Sequence, residues 1–249
     1  MYGKFLFVIT LVKYVDSEFE RFIMEGEYAD IRHYPHQIFF EVYGTEPCMC
    51  GGSILNQMIA LTAAHCLEEL PGIHGKVILK YGSASLRYMR SQVAKSFMIH
   101  EKYNYETMYG DIAIVGLKTP IELSDIIKKV AITPTPPEWK LGYVAGWGAI
   151  NEQLDTQDML KYAKQKLQSV NVCTKLGIPE GAFCAGPIKG PGNPAVGDSG
   201  GALIINDYIQ TGIVSYKVHY YTLVAYTNVS YYYPWIYRNS QYLYCVNKN

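Results

Sequence analysis

The sequence of 249 residues lacks a net charge, because 22 lysines and arginines balance 22 aspartates and glutamates. A balanced chain gives no electrostatic reason to expect nucleic acid or an anionic membrane as a partner. The sequence also lacks repeats, low-complexity tracts and any apolar run of membrane-spanning length. Because 49% of the residues are hydrophobic and only 18% are charged, a disordered chain is excluded and a sizeable core is expected.

The N-terminus carries a short apolar run over residues 5–12, which follows Lys4. The run is too short to span a bilayer and could be a buried strand. The positive start and the small residues near a cleavage point are typical of a secretory signal peptide. We therefore predict a signal peptide at residues 1–17 and a secreted, extracellular protein. Export permits disulfide bonds, and the six cysteines are an even number.

Tyrosine is unusually frequent, with 23 residues against three tryptophans. Most of these side chains are expected to be amphipathic strand or surface residues, and some could form an adhesive face. A structural or adhesive tyrosine-rich protein is therefore one interpretation, although only the composition supports it.

Segments rich in β-forming residues recur between turn residues, which predicts an antiparallel barrel or sandwich. Helices are predicted only at residues 170–176 and 234–244. A proline-rich connection at residues 134–137 marks the place where two halves of the chain could meet. The predicted strands are residues 37–43, 52–60, 76–79, 111–117, 142–146, 202–205, 210–215 and 223–229.

Three motifs contain residues that could do catalytic chemistry. Ser199 stands in GDSGG, where a surface turn is the ordinary explanation and a nucleophile beside backbone N–H groups is the other. His65 ends an apolar strand in ALTAAHC, and Asp111 opens one in YGDIAIVGL. Each alone is as well explained as a core, surface or turn residue. Asp111 could instead accept the imidazole N–H and fix its tautomer, and a Cys50–Cys66 bridge would pin the loop carrying His65.

In this order and rough spacing, the three motifs resemble those of the trypsin/chymotrypsin-like serine peptidases. The resemblance covers Ile23 to about Tyr244. It implies an all-β fold of two six-stranded antiparallel β-barrels with a C-terminal helix, in a domain over residues 23–249. Further motifs that match in order are CGGSI, AGWG, FCAG, GIVS and PWI.

The resemblance also implies a role for each catalytic residue. Ser199 would attack the acyl carbon, His65 would take and return the proton, and Asp111 would orient His65. The N–H groups of Gly197 and Ser199 would form the oxyanion hole. No cofactor is implied and no metal is predicted, since the loop expected at residues 80–98 lacks the acidic cluster that holds calcium in some members.

The cysteines divide unevenly under this resemblance. Cys173 and Cys184 match a family bridge. Cys48 and Cys245 match no bridge of the family. We favour their pairing with each other, with a bond to another chain or free thiols as alternatives.

The expected activation site departs from the family pattern. A pro-segment at residues 18–22 would be removed, so that the new ammonium of Ile23 pairs with Asp198. The bond to be cut follows Phe22, where the family usually has Arg or Lys. The sequence therefore predicts either a chymotrypsin-like activating protease or compromised activation.

The specificity (S1) pocket departs further. Its floor falls on Asn193 rather than on the Asp that selects Arg or Lys, and Ala195 replaces a cysteine. The segment after Ser215 reads Tyr216-Lys217 in place of Trp-Gly, and Val224 replaces a glycine. These changes predict a narrowed or closed pocket without trypsin-like specificity. A preference for small residues is the active interpretation, and a cleft blocked by tyrosine (216, 220 or 221) is the inactive one.

Two functions therefore compete on one scaffold. The first is a secreted, monomeric serine endopeptidase that acts on proteins or peptides, without nucleic acid or membrane partners. The alternative is a weak or inactive paralogue that acts as a binding or decoy protein, reminiscent of degenerate paralogues in parasitic mites. Retention of all three catalytic residues, His65, Asp111 and Ser199, favours the enzyme.

Overall fold

The computed structural model describes residues 26–70, 75–149, 157–187, 192–218 and 221–248. The predicted signal peptide, the pro-segment and Ile23 lie outside the described residues. The N-terminal half forms a closed barrel in the order β2-β3-β4-β7-β6-β5. Its strands are β2 (Gln37–Tyr43), β3 (Cys48–Asn56), β4 (Ile59–Thr62), β5 (Lys76–Tyr81), β6 (Arg90–Ile99) and β7 (Ala113–Leu117).

The C-terminal half forms a second six-stranded ring, β9-β10-β13-β12-β11-β8, which the pairing of β8 with β9 closes. A short strand, β1 (Glu27–Tyr28), adds to β9 from outside the ring. The predicted fold of two antiparallel six-stranded barrels is confirmed. The strands of this half are β8 (Leu141–Gly146), β9 (Lys161–Leu167), β10 (Ala182–Gly186), β11 (Ala202–Ile205), β12 (Ile209–Val218) and β13 (Leu223–Asn228).

The strands bury the side chains that their sequence alternation predicts. In β5, Val77, Leu79 and Tyr81 face the core, while Lys76 is exposed. Every residue of β7 is buried, because the barrel interior covers one face and a helix packs on the other. That helix is α2 (Tyr233–Lys248), which extends beyond its predicted end, and the second helix is α1 (Val170–Lys175).

Neither helix of the described residues has the length and apolar character of a membrane span.

The two barrels meet through a small apolar cluster that contains Phe39 and Trp147, with ring centroids 6.1 Å apart. Two buried hydrogen bonds cross the same interface. Gln37 Nε2 donates to the Ala145 carbonyl at 2.8 Å, and Ser53 Oγ donates to Gln210 at 2.6 Å. Because buried polar groups need partners, these bonds stabilise the contact between the barrels. Residues 118–140, which include the predicted meeting point, connect β7 to β8.

Two expectations about the first barrel are wrong. Residues 52–60 are not one strand, because a turn after Asn56 separates β3 from β4, and Asn56 Oδ1 accepts the Met58 N–H at 2.8 Å. Residues 80–98 are not one loop, because residues 80–81 end β5 and residues 90–98 belong to β6. A register shift between Ala94 and Ser96 breaks the two-residue period of β6 and hides the strand in the sequence.

Candidate active site

A cleft of about 1310 Å³ lies between the barrels, and both halves of the chain contribute to it. The first half supplies His65 and the loop residues 105–108. The second half supplies Ser199 and most of the remaining wall. The other lining residues are Lys175, Leu176, Gly177, Pro179, Pro194, Ala195, Val196, Val214, Ser215, Tyr216, Lys217, Val218, Tyr221 and Val224.

His65 and Asp111 meet in this cleft although 46 residues separate them in the chain. His65 Nδ1 lies 2.9 Å from Asp111 Oδ2 and 3.1 Å from Oδ1. The backbone N–H of His65 also donates to Asp111 Oδ1, at 3.0 Å. The carboxylate therefore orients the imidazole with Nδ1 as the hydrogen-bearing nitrogen, and Nε2 is the nitrogen that can accept a proton.

The side chain of Asp111 is fully buried. Burial alone raises the pKa of this carboxyl, but the His65 ring and the hydroxyl of Ser215 outweigh burial, and the net pKa is lowered. Ser215 Oγ donates to Asp111 Oδ2 at 2.5 Å, and Thr227 Oγ1 donates to the Asp111 carbonyl at 2.7 Å. Strands of the second barrel thus hold an aspartate that belongs to the first.

Ser199 lines the same cleft as His65. Among the described residues, its hydroxyl makes no hydrogen bond. The Ser199 carbonyl accepts the Gly51 N–H at 2.7 Å, which ties the GDSGG turn to β3. Within the described part of the chain, the N–H groups of Gly197 and Ser199 have no protein acceptor, whereas those of Asp198, Gly200 and Gly201 are all bonded. Two backbone donors beside the hydroxyl are therefore available to an anion.

The GDSGG turn is sharp because two of its glycines adopt positive φ angles, +95° at Gly197 and +83° at Gly200. At Gly200 a Cβ would also come within 2.2 Å of Thr62 Oγ1 and 2.5 Å of the Gly51 carbonyl oxygen. The turn can therefore pack against the first barrel only with glycine at position 200.

Asp198 points away from the cleft into a buried cradle. Its oxygens accept the N–H groups of Gly148 at 2.9 Å and Ala195 at 2.8 Å. A Cβ at Gly146 would come within 1.9 Å of the carboxylate, so glycine is required there. Burial raises the pKa of Asp198 to about 6, against the lowering effect of the two backbone donors. Among the described residues, no cationic side chain contacts this carboxylate.

Four of the predicted S1 residues line the cleft, namely Ser215, Tyr216, Lys217 and Val224, whereas Asn193 is buried and does not. Asn193 Nδ2 donates to the Thr222 carbonyl at 3.1 Å. Its Oδ1 is buried without a partner among the described residues.

Val224 lies on β13 between β10 and β12, where it pairs with Ala185 and Lys217. The side chains of Lys217 and Val224 therefore add volume to the wall. Tyr216 and Tyr221 also line the cleft, and Tyr220 lies outside the described residues.

The structure contains the Cys50–Cys66 and Cys173–Cys184 disulfides. The favoured pairing of Cys48 with Cys245 is wrong, because both thiols are free and exposed. Cys48 begins β3, with its sulfur 3.8 Å from the Cys66 carbonyl oxygen, whereas Cys245 lies on α2, which packs on β6 and β7.

The described residues contain one potential metal-ligand cluster, formed by Cys50, His65 and Cys66. Both of its sulfurs are consumed by the disulfide. They therefore cannot bind an ion as thiolates.

Sequence reasoning missed the supporting roles of three residues. The hydrogen bond from Ser215 to Asp111 was not expected, although Ser215 stands in the GIVS motif. Gly146 and Gly148, which make room for Asp198, stand in AGWG. The GIVS and AGWG motifs are the sequence signals that could have identified these roles.

Comparison with known proteins gives consistent matches. Residues 23–236 match the family described as Trypsin. The thrombin-like enzyme BjussuSP-1 of Bothrops jararacussu is 31% identical over 230 residues, which is 87% of this chain and 95% of that protein. The thrombin-like enzyme acutin of Deinagkistrodon acutus is 31% identical over 231 residues, with the same coverage.

Two solved structures resemble this one with a TM-score of 0.75 and 26% identity over 87% of this chain. They are the scabies mite inactivated protease paralogue S-D1, covered to 96%, and neuropsin, a serine protease of mouse brain, covered to 99%.

Proposed function

Because the chain belongs to the trypsin family of serine endopeptidases, we propose that it hydrolyses peptide bonds through Ser199, His65 and Asp111. The observation that carries this proposal is the bond of 2.9 Å between His65 Nδ1 and Asp111 Oδ2, in the cleft that Ser199 lines. This bond leaves Nε2 as the only imidazole nitrogen that can take a proton from the serine. Catalytic hydrogen bonds to the hydroxyl often form only when the substrate is bound.

The reaction follows from these positions. Ser199 Oγ attacks the substrate carbonyl while His65 Nε2 takes the hydroxyl proton. His65 then returns this proton to the leaving amine, and an acyl-serine remains. A water molecule attacks the acyl group with His65 again as the base, and the acid and the free serine are released. Asp111 stabilises the imidazolium at both stages.

The N–H groups of Gly197 and Ser199 bind the oxyanion of each tetrahedral intermediate. Neither has an acceptor among the described residues, and Gly197 has no side chain to obstruct the approach. Because such donors are already in place, they need no reorganisation during the reaction. One donor contributes about 3–4 kcal/mol to transition-state stabilisation.

Activation would use the cradle of Asp198. A cut after Phe22 would create an ammonium on Ile23, which lies outside the described residues. The raised pKa of Asp198, to about 6, indicates a carboxylate that is poorly stabilised by its two backbone donors. A buried cation would remove that penalty and fix the GDSGG turn. The apolar residue Phe22 before the cut favours a chymotrypsin-like activating protease.

The enzyme would cleave after small residues and not after Arg or Lys. Val224 and Lys217 fill space in the wall, and Asn193 is buried with its amide bonded to Thr222. A long cationic side chain would therefore find neither room nor a carboxylate partner. We further propose that residues 1–17 direct secretion and that the mature enzyme is a monomer acting on extracellular proteins or peptides.

A fluorophosphonate probe tests the catalytic proposal. The chain would be prepared to begin at Ile23, and we expect labelling of Ser199 that is lost in Ser199→Ala. Ser53→Ala, which removes a buried hydroxyl from the barrel interface, is the matched control and keeps the label. A correctly folded sample that takes no label would show that the proposal is wrong. It would instead support the inactive binding or decoy protein.

Peptides varied at the residue before the cut test the S1 proposal. We expect cleavage after Ala or Ser and a loss of about 10- to 200-fold for Phe. Val224→Gly should reopen the pocket and recover cleavage after Phe. Efficient cleavage after Arg by the unmodified enzyme would contradict our interpretation of Asn193.

A further inference from the structure

The loop that carries Asp111, residues 100–112, is fastened to the N-terminal end of α2. Trp235 Nε1, in the first turn of the helix, donates to Glu101 Oε2 at 2.6 Å. The Gly110 N–H donates to the hydroxyl of Tyr232 at 3.1 Å. One short segment of the second half of the chain thus contacts both ends of the loop.

Tyr232 is held rigidly where it makes this contact. It is only 3% exposed, and its ring lies edge-on to His100 with centroids 5.0 Å apart. His100 in turn packs on Trp235 at 5.2 Å. Because buried rings in such contacts have little freedom, the Tyr232 hydroxyl is a fixed acceptor.

Gly110, which donates to Tyr232, is closely approached by His100. Its φ angle is +68°, and a Cβ there would lie 3.0 Å from His100 Nδ1. Gly110 is therefore confined between His100 and Tyr232. On the other flank, Thr227 Oγ1 holds the Asp111 carbonyl at 2.7 Å. The backbone of Asp111 is thus anchored on both sides by residues of the second half of the chain.

We propose that Tyr232 is a positioning residue for the catalytic reaction. By accepting the Gly110 N–H, it sets the direction in which the Asp111 carboxylate faces His65 Nδ1. Without this acceptor, a buried N–H group loses its partner, and the peptide must rotate or shift to find another. A small shift of Asp111 would misalign the imidazole with Ser199, and displacements of this kind lower catalytic rates strongly. The inference rests on the proposed function.

Tyr232→Phe tests this role because it keeps the ring and removes the acceptor. Tyr237→Phe, on the adjoining helix α2 and 56% exposed, is the matched control. In the chain processed to begin at Ile23, we expect Tyr232→Phe to lower kcat by about 10- to 100-fold with KM unchanged. The control should keep the kcat of the unmodified enzyme. A change confined to KM would contradict the proposal.

Nuclear magnetic resonance of His65 separates positioning from simple loss of stability. In a Ser199→Ala background, we expect Tyr232→Phe to move the resonance of the His65 Nδ1 proton. A purely structural role would lower the melting temperature and leave this resonance unchanged, which would overturn the proposal. This measurement needs no catalysis. It therefore tests the role of Tyr232 even if the unmodified protein takes no fluorophosphonate and the proposed function fails.

Hydrogen exchange of the Gly110 amide needs no substitution in this loop. Slow exchange, comparable with that of the barrel strands, is the expected result. Exchange at the rate of an exposed amide would show that the bond to Tyr232 does not persist in solution, and the proposal would fall even if Tyr232→Phe could not be folded.

Discussion

Asp111 and Asp198 are both buried aspartates, and their surroundings shift the two pKa values in opposite directions. Asp111 is bonded to an imidazole, to the Ser215 hydroxyl and to a backbone N–H, and its pKa is lowered. Asp198 has two backbone donors, and burial raises its pKa to about 6. The first carboxylate is supported by the described domain itself. The second has a cradle that lacks a cation among the described residues.

This difference separates catalysis from activation. The partners of Asp111 come from both barrels, so they are in place once the chain has folded. The cradle of Asp198, with glycines at positions 146 and 148, gives a charge room without fully compensating it. A charged group that arrives after folding can therefore stabilise the carboxylate of Asp198 much more than that of Asp111. In our proposal this group is the ammonium of Ile23.

The largest expected effect on catalysis comes from a substitution at Asp111. Asp111→Asn keeps the shape of the side chain but removes the charge that selects the His65 tautomer. We expect kcat to fall about 10⁴-fold, measured with a small-residue peptide substrate. Asp207→Asn, at an exposed turn of the second barrel, is the control and should keep its activity. Activity close to that of the unmodified protein would mean that His65 needs no partner.

The second prediction concerns Asp198 and compares the chain that begins at Ile23 with one that begins at Glu18. The longer chain lacks the Ile23 ammonium, so its GDSGG turn should be misplaced and lose an oxyanion donor. Labelling of Ser199 should therefore be about 10²- to 10³-fold slower in the longer chain. Equal labelling rates in the two chains would contradict the activation pair.

The two chains should also differ in stability. A carboxyl pKa raised from 3.8 to about 6 makes the folded state lose stability as pH rises through this window. Only the longer chain should show this loss, of about 3 kcal/mol between pH 4 and pH 6. Because the longer chain also carries the carboxylates of Glu18 and Glu20, the difference between the two denaturation curves is measured with and without Asp198→Asn. Asp198→Asn should abolish that difference.

The third prediction concerns His36, which affects stability in the same pH range but destabilises the folded state as pH falls rather than as it rises. Burial lowers the pKa of His36 from 6.5 to about 4, and its Nε2 has no partner among the described residues. The folded state therefore loses about 3 kcal/mol as pH falls from about 6.5 to 4. His36→Phe should flatten this slope in urea denaturation. The exposed His33→Gln should not, and an unchanged slope in His36→Phe would assign the loss to another group.

The sequence predicted most of this architecture because its motifs are local. A histidine after an apolar strand and a glycine-bound serine can be read from neighbouring residues. In contrast, β9 was missed because its inward positions carry Ala163 and Gln165. Gln165 is tolerated there since its Nε2 bonds to the Gly192 carbonyl at 2.8 Å, a partner that only the folded chain provides. The contact of Tyr232 with Gly110 was missed for the same reason, because the two residues are 122 positions apart.

The smallest predicted effect comes from removing one of the hydrogen-bond donors to Asp111, which makes its surroundings more like those of Asp198. Ser215→Ala removes the hydroxyl that donates to Asp111 Oδ2 and leaves the carboxylate with its His65 contacts alone. Because hydrogen bonds to charged groups contribute about 1.5–3 kcal/mol, we expect the pKa of Asp111 to rise and kcat/KM to fall about 10-fold. Ser53→Ala loses a comparable buried bond at the barrel interface and should lower stability but not kcat/KM. If both variants lost activity equally, general destabilisation would explain the result, and Ser215 would have no specific influence on the charge of Asp111.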